Sequence, residues 1–367
     1  MRVQVVDPSA YTPPYDHALC SALARAGAEI ELVTSRFAYG TAPPPDGYAL
    51  RELFYTHAVG APASRLRLVT KLLDHVPNML ALRRHACAAE IVHFQWLAAQ
   101  PLDRFLLPRR PTVLTAHDLL PREARPLQLR AQRRLYEAVD AVVAHSVYGR
   151  GQLVDELGVD PGKVRVIHHG AFDYLTRVPA GKLPPELGDG QGPVVLFFGL
   201  LRPYKGIEVL LHAWRSLAAR AELWVVGRPR MGLDPLRGAA PATVRWVPRF
   251  VSEAELVACF RRADIVVLPY LSTDRFDFSG VLATALAFGK PTVLSDVGSF
   301  SEVAQAGAAQ LVPAADPDAL SGALGSLLDE PERRERLARC AAQAAQGPYS
   351  WDRAAEDTLA LYRDLLG

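Results

Sequence analysis

Two cations stand three residues apart in the run Gly199-Leu200-Leu201-Arg202-Pro203-Tyr204-Lys205-Gly206. Ahead of them Val194–Phe198 is an unbroken apolar run that reads as a buried strand. Behind them the spacing from Ile207 reads as an amphipathic helix. Such a loop lies at the carboxyl end of a strand, where open parallel sheets bind ligands. The amides that open the next helix favour an anion. An arginine fork and a lysine point charge held there suit a diphosphate. A solvated loop with two ordinary charges is the competing reading of this stretch taken alone.

A second set of reactive side chains sits at strand ends in the first half. Ile91–Phe94, Thr112–Ala116, Ala141–Ala144 and Val164–Ile167 read as strands. They carry His93 or end at His117-Asp118, His145-Ser146 and His168-His169-Gly170. Together these histidines point to a shared polar crevice, although each taken alone is better explained as a structural residue. No third ligand stands at metal spacing, so no metal site is expected.

The elements that must hold these residues alternate. Val3–Val6 is a strand and Asp7 to Tyr15 a proline-rich loop. Asp16 precedes a helical pattern that stops at Gly27, and Ile30–Val33 is the next strand. This is a β-α-β unit without GxGxxG, so no nicotinamide cofactor is expected. Residues 35–62 read as irregular. Residues 64–87 read as a helix broken before Pro77 and carrying Arg65, Arg67, Lys71, Arg83 and Arg84. A solvated helix face accounts for those cations, and weak peripheral contact with an anionic membrane stays open. The proline- and glycine-rich stretch 173–192 reads as an interdomain linker.

The second half repeats the alternation. Leu223–Val226 ends at Gly227-Arg228, and Val244–Val247 ends at Pro248-Arg249-Phe250. Ser252 and Glu255 form a capping box, and Ile265–Leu268 ends at Pro269-Tyr270. Ser279-Gly280 opens a helix Val281–Phe288, Thr292–Leu294 is a strand, and Asp316-Pro317 starts a helix. Helices Glu332–Ala345 and Trp351–Leu366 close the chain. The expected architecture is α/β: two halves with an interdomain cleft between their strand-end loops, the usual place for a ligand.

Composition narrows the function. The 367 residues are 50% hydrophobic and 22% charged, with a formal net charge of +2, which does not point to nucleic acid. Cys20, Cys87, Cys259 and Cys340 form no CxxC pair and are expected as reduced thiols. No signal peptide and no membrane-spanning run is read, so a soluble cytoplasmic protein is expected.

The ordered set Phe198 to Gly206, Val226-Gly227, Arg262-Ala263-Asp264-Ile265-Val266-Val267-Leu268-Pro269 and Thr284-Ala285-Leu286-Ala287-Phe288-Gly289-Lys290-Pro291 resembles glycosyltransferase family 4. His117-Asp118 and the closing Tyr349-Ser350-Trp351 with Tyr362 are similar to the same family. The resemblance implies the GT-B architecture: a Rossmann-like acceptor domain (1–175), a Rossmann-like nucleotide-sugar donor domain (190–347), and a last helix (348–367) crossing back to the first. It implies that Arg202 and Lys205 grip the donor diphosphate and that Gly199 and Gly227 lie near the nucleotide. It further implies that the backbone of Arg249, Phe250 and Val251 reads the base and that His117 lies near the transferred sugar.

Two departures from the family pattern stand out. Its E-x7-E glutamates fall here at Phe276 and Thr284, with Asp274 or Asp277 as substitutes for one of them. Ser279, Gly280 and Val281 instead offer helix-opening amides to a phosphate. The first loop carries Pro14-Tyr15-Asp16-His17 in place of a glycine pair, which leaves Asp16 as a residue that could face the acceptor. The implied activity is retaining, metal-independent transfer from a UDP- or GDP-linked sugar to an acceptor hydroxyl or amine. No cofactor beyond that donor is implied, and acceptor and oligomeric state are unread. The apolar run Phe94, Trp96, Phe105, Leu106 and Leu107 reads as core, with an apolar part of the acceptor as the alternative. A nucleotide-sugar epimerase of the same fold and a non-catalytic nucleotide-sugar-binding protein are the rival readings.

Overall fold

The computed structural model describes residues 1–38, 42–61, 64–119, 126–188, 192–271 and 278–367. They form two compact units, Met1–Gly170 with Trp351–Gly367, and residues 171–271 with 278–350. The substitutes Asp274 and Asp277, and Phe276, lie outside the described residues.

The first unit runs β1 (Arg2–Asp7), α1 (Pro13–Arg25), β2 (Glu29–Ser35), β3 (Ala49–Phe54), α2 (Arg65–His85), β4 (Ile91–Phe94), α3 (Gln100–Leu106), β5 (Thr112–Thr115), α4 (Pro126–Ala138), β6 (Ala141–Ala144), α5 (Val147–Gly151) and β7 (Val164–Val166). Its sheet is parallel, in the order β3-β2-β1-β4-β5-β6-β7. Alternation along the strands sends Val6, Phe94, Leu114 and Val142 to one face, where Met79 and Leu82 of α2 and Leu135 and Tyr136 of α4 cover them. Val5, His93 and Val113, which share a register, take the other face.

Three expectations change here. Residues 49–54 are not irregular but an edge strand, paired with β2 through Glu31 to Ser35; Ala49 to Glu52 are exposed, so no apolar alternation marks them. The helix of residues 64–87 is not broken, for α2 runs through Pro77. That ring stands exposed, and one lost i→i−4 bond is offset because the helix is pinned on both sides of it, by His75 before and by Met79 and Leu82 after. Buried His75 lies 2.5 Å from Asp103 of α3 and accepts or donates to Tyr55 at 2.9 Å. Finally, α1 begins at Pro13, so Asp16 sits buried in its first turn. There it shares a desolvated site with Asp7, whose carboxylate accepts from the amides of Ser9 and Thr12. Burial and then the Asp7 charge push the Asp16 carboxyl well up.

The second unit runs α6 (Tyr174–Arg177), β8 (Val194–Phe198), α7 (Ile207–Trp214), β9 (Glu222–Val226), α8 (Asp234–Ala239), β10 (Val244–Val247), α9 (Glu253–Arg262), β11 (Ile265–Leu268), α10 (Gly280–Ala287), β12 (Thr292–Ser295), α11 (Phe300–Gln305), β13 (Gln310–Val312), α12 (Pro317–Asp329) and α13 (Pro331–Gln346). Its parallel sheet has the order β10-β9-β8-β11-β12-β13. The capping box forms as the sequence predicts, with the Glu255 amide donating to Ser252 Oγ at 3.2 Å and the Ser252 amide donating to Glu255 Oε2 at 2.8 Å. The proline-rich stretch after residue 173 is fastened to this unit rather than free: Tyr174 donates to Glu253, and Glu186 pairs with Arg249.

The last helix, α14 (Trp351–Leu366), belongs to the first unit. It packs along α1, Arg25 pairs with Asp352 at 2.9 Å, and the Tyr362 hydroxyl lies 2.6 Å from His93 Nδ1. Trp351 lies over Gly170, where a Cβ would stand 2.3 Å from the indole Cδ2. Gly170→Ala is therefore expected to displace Trp351 and cost about 1–3 kcal/mol, read as a lower urea midpoint. An unchanged midpoint would show that the indole is not seated on this backbone.

Candidate functional site

Each sheet has its first strand at the point where the strand order reverses, β1 beside β4 and β8 beside β11. Loops diverge there, which leaves room for a ligand at the carboxyl ends of the strands. In the second unit the loops after β8, β9 and β10 are laced by backbone bonds. The Gly199 amide donates to Val226 O at 3.0 Å, Leu201 to Arg228 O at 3.0 Å, Arg230 to Leu201 O at 2.9 Å, and Gly227 to Val247 O at 3.0 Å. Gly227 has φ +149°, and a Cβ there would lie 1.8 Å from Gly199 O. Only glycine admits that crossing.

On this frame Lys205 is buried at the end of a 3₁₀ turn, Pro203–Lys205. Its Nζ donates to the Tyr270 hydroxyl and lies 4.4 Å from the centre of that ring. Tyr270 follows β11, so the contact spans the reversal point. Its hydroxyl lies 3.2 Å from Ser279 Oγ, and burial pushes its pKa up, which keeps it neutral. Arg202 is half-buried, its Nε is shielded from solvent without a hydrogen-bond partner, and among the described residues no carboxylate pairs with its guanidinium. Ser279 is the N-cap of α10 but makes no side-chain cap bond, so α10 opens with uncapped first-turn amides. Val281 Cγ2 lies 3.1 Å from where a Gly199 Cβ would stand, which brings this helix start against the β8 loop. The fold thus collects Arg202, Lys205, Gly199, Gly280 and Val281 at one place.

Other predicted residues have side chains engaged within the second unit or exposed. Thr284 is buried and donates to Gly280 O at 2.8 Å, so its hydroxyl is spent inside α10. The Arg249 guanidinium is clamped between Glu186 at 2.9 Å and Glu255 at 2.8 Å, and that pairing holds the Glu255 carboxyl down to about 2. Phe250 is exposed with the Arg228 guanidinium 5.3 Å above its ring, and Val251 is half-buried. Tyr270 and its link to Lys205 had no separate signal in the sequence beyond an aromatic residue just after a buried strand.

The first unit gathers His117, His145 and His169 around Tyr15, with ring centres 4.6, 5.3 and 5.0 Å from the tyrosine. Trp96 stacks on His117 at 5.0 Å and donates from Nε1 to Thr12 Oγ1 at 2.9 Å, which ties the loops after β4 and β1. Desolvation holds His145 down to about 4 and His169 to about 3, and it lowers His117 well below its ordinary value. Neutral rings fix the tautomers by continuity. His145 donates from Nδ1 to Ile167 O at 3.0 Å, so its Nε2 accepts from His117 Nδ1 at 3.3 Å. Gln95 Oε1 stands 3.0 Å from His117 Nε2, and turning that amide over lets its otherwise unpartnered nitrogen donate to the ring. Both His117 ring nitrogens are thus engaged within this unit. His93 lies inside β4 between Thr115 and Tyr362, and His168 Nδ1 bonds to His145 O.

Beside His117 lies a cavity of about 430 Å³ lined by Trp96, Leu97, Gln132, Leu135 and Tyr136. Gln132 is buried there; its amide nitrogen donates to Tyr136 at 2.8 Å, and its oxygen has no partner. The lining is apolar with a few amide and imidazole groups, which suits a hydroxylated molecule with an apolar face. Among the described residues no cluster of His, Cys, Asp or Glu is arranged to hold a metal ion.

Two doubly wound parallel sheets, each with chemistry at its reversal point, define the GT-B class. Anabaena HepE in complex with UDP superposes with a TM-score of 0.73 at 17% identity, covering 99% of this chain and 100% of that one. Sucrose-phosphate synthase from Thermosynechococcus elongatus gives 0.72 at 19% identity, covering 100% and 99%. Residues 192–330 match the model of Glycosyl transferases group 1, and residues 15–171 match Glycosyltransferase Family 4. A D-inositol 3-phosphate glycosyltransferase of Kineococcus radiotolerans is 30% identical over 94% of this chain and 88% of its own length. The chain belongs to the group 1, family 4 glycosyltransferases.

Two outcomes follow from this geometry. Gly227→Ala must break the Gly199–Gly227 crossing, and a loss of at least about 2 kcal/mol is expected in denaturant titration. The buried histidines set a pH dependence. Their native pKa values, about 4 for His145 and about 3 for His169, lie below the free value of 6.5, so the unfolded chain takes up protons first as pH falls. Their stabilising contribution is full above pH 6.5 and declines on going down towards 4; a melting temperature flat between pH 7 and 4.5 would mean that these rings take up protons as readily in the folded chain as in the unfolded one.

Proposed function

We propose that this glycosyltransferase moves a sugar from a uridine-diphosphate-linked donor to an acceptor hydroxyl, with retention at the anomeric carbon. The observation that carries the reading is the pairing of Arg202, a guanidinium with a buried unpartnered Nε, with the buried Lys205 ammonium beside the uncapped start of α10. Two fixed cations and helix amides offset the charge that grows on a departing diphosphate. UDP is favoured among nucleotides because HepE of this fold was crystallised with UDP.

In this reading the second unit binds the donor and the first unit the acceptor, in the cavity beside His117. The bond from the anomeric carbon to the β-phosphate oxygen breaks. A bond from the acceptor oxygen forms on the same face, and the acceptor proton passes to the departing phosphate oxygen. Arg202 and Lys205 supply the positive charge this requires, so no divalent ion is part of the proposal. His117, neutral and with both nitrogens engaged, shapes the acceptor side and holds the Trp96 ring; it is not the base.

The test is binding and turnover together. UDP is expected to raise the melting temperature of the wild type. Arg202→Ala is expected to lower transfer by about 10²-fold and to weaken UDP binding, as for loss of charge stabilisation at the transition state. Donor binding without hydrolysis or transfer would leave only a binding protein, and wild-type turnover in Arg202→Ala would remove this residue from the site.

A further inference from the structure

Helix α2 has two apolar faces. His75, Met79 and Leu82 are buried against the sheet, as a helix of this fold requires. Leu66, Val69, Leu73 and Leu80 recur at spacings of three, four and seven residues on another face, and all are exposed, Leu73 at 71%. Leu68 and Leu72 widen the exposed strip. Helix α3 packs against both α2 and α4 and extends the apolar surface with Phe105, 65% exposed, and α4 begins with Leu127, 76% exposed. Scattered surface leucines need no explanation, but a run of them along one helix, with more on the helix packed beside it and on the next, does.

The same surface is strongly basic. The described residues among 64–138 carry eleven Lys and Arg against five Asp and Glu, in a chain whose formal net charge is only +2. Arg65, Arg83 and Arg84 flank the leucine row near the two ends of α2, and among the described residues none has an ion-pair partner. The helix is held rigidly by its buried face, through His75 and Asp103. Lipid head groups offer phosphates and an apolar boundary at adjoining depths, which matches leucines flanked by arginines. A second copy of this chain would set the two sets of cations against each other. No helix among the described residues is long and apolar enough to cross a membrane, so the contact is a surface one.

We propose that the face built from α2, α3 and the start of α4 docks on the surface of an anionic bilayer, with the leucines at the acyl boundary and the arginines on lipid phosphates. The inference does not depend on the donor assignment. Helices α3 and α4 also line the cavity beside His117, through Gln100, Pro101 and Ala131, so docking places that cavity next to lipid.

Sedimentation of the full chain with vesicles tests this. Wild type is expected to pellet with phosphatidylcholine vesicles containing about one-third phosphatidylglycerol, to do so less as salt rises, and to stay in solution with phosphatidylcholine alone. Val69→Glu/Leu73→Glu and, separately, Arg83→Gln/Arg84→Gln are each expected to lower partitioning by at least about tenfold, with circular dichroism and melting unchanged because these side chains are exposed or half-exposed. Equal pelleting with neutral vesicles, or wild-type pelleting by both variants, would overturn the proposal. So would a wild-type dimer in solution that Val69→Glu/Leu73→Glu converts to monomer, since the face would then be a self-interface.

Discussion

A lysine ammonium buried where a parallel sheet reverses its strand order is the interaction on which the donor-side arrangement rests. Charge is costly to desolvate, and the fold offsets that cost at Lys205 with the hydroxyl and the ring face of Tyr270. Tyr270 can do this only because β11 lies next to β8, so that the residue after one strand meets the loop after the other. Gly199 and Gly227 matter for the same reason. Their crossing draws the β8 and β9 loops together and fixes the turn that aims Arg202 and Lys205. An anion at this place meets cations whose position costs no reorganisation when it arrives.

The first unit uses the same topology for different chemistry. Its reversal point holds neutral imidazoles and an indole instead of cations, because burial disfavours the charged form of histidine there. The hydrogen-bonded series Gln95, His117, His145 and Ile167 O orients these rings without placing charge beside the cavity. One reversal point thus presents cations and the other neutral rings beside a largely apolar cavity. The same handed β-α-β unit serves both, and the difference lies in a few loop residues.

Much of this was legible in the chain. Val194–Phe198, Ile265–Leu268 and the capping box at Ser252 and Glu255 were plain because buried parallel strands are continuous apolar runs and caps have fixed chemistry. Arg202 and Lys205 were visible as cations in a strand-to-helix loop. What escaped was structure without local pattern. Edge strand β3 is largely exposed and carries no alternation, and Pro77 reads as a breaker although buried contacts hold α2 straight past it. Thr284 and Arg249 showed their residue types, but only the folded chain shows that one hydroxyl is spent on Gly280 O and one guanidinium on Glu186 and Glu255.

The sequence alone determined the α/β alternation, most of the buried strands and the loop that bears the cations, because periodicity, caps and glycine positions act over a few residues. The tertiary structure alone decided which strands are neighbours, and hence that Tyr270 reaches Lys205, that Trp351 returns to Gly170, and that three histidines from three strands share one desolvated site. It also decided that a leucine row with helical spacing faces solvent and not the core. The reason is physical: burial and proximity between distant residues are set by how whole sheets close, and no short stretch of chain encodes them.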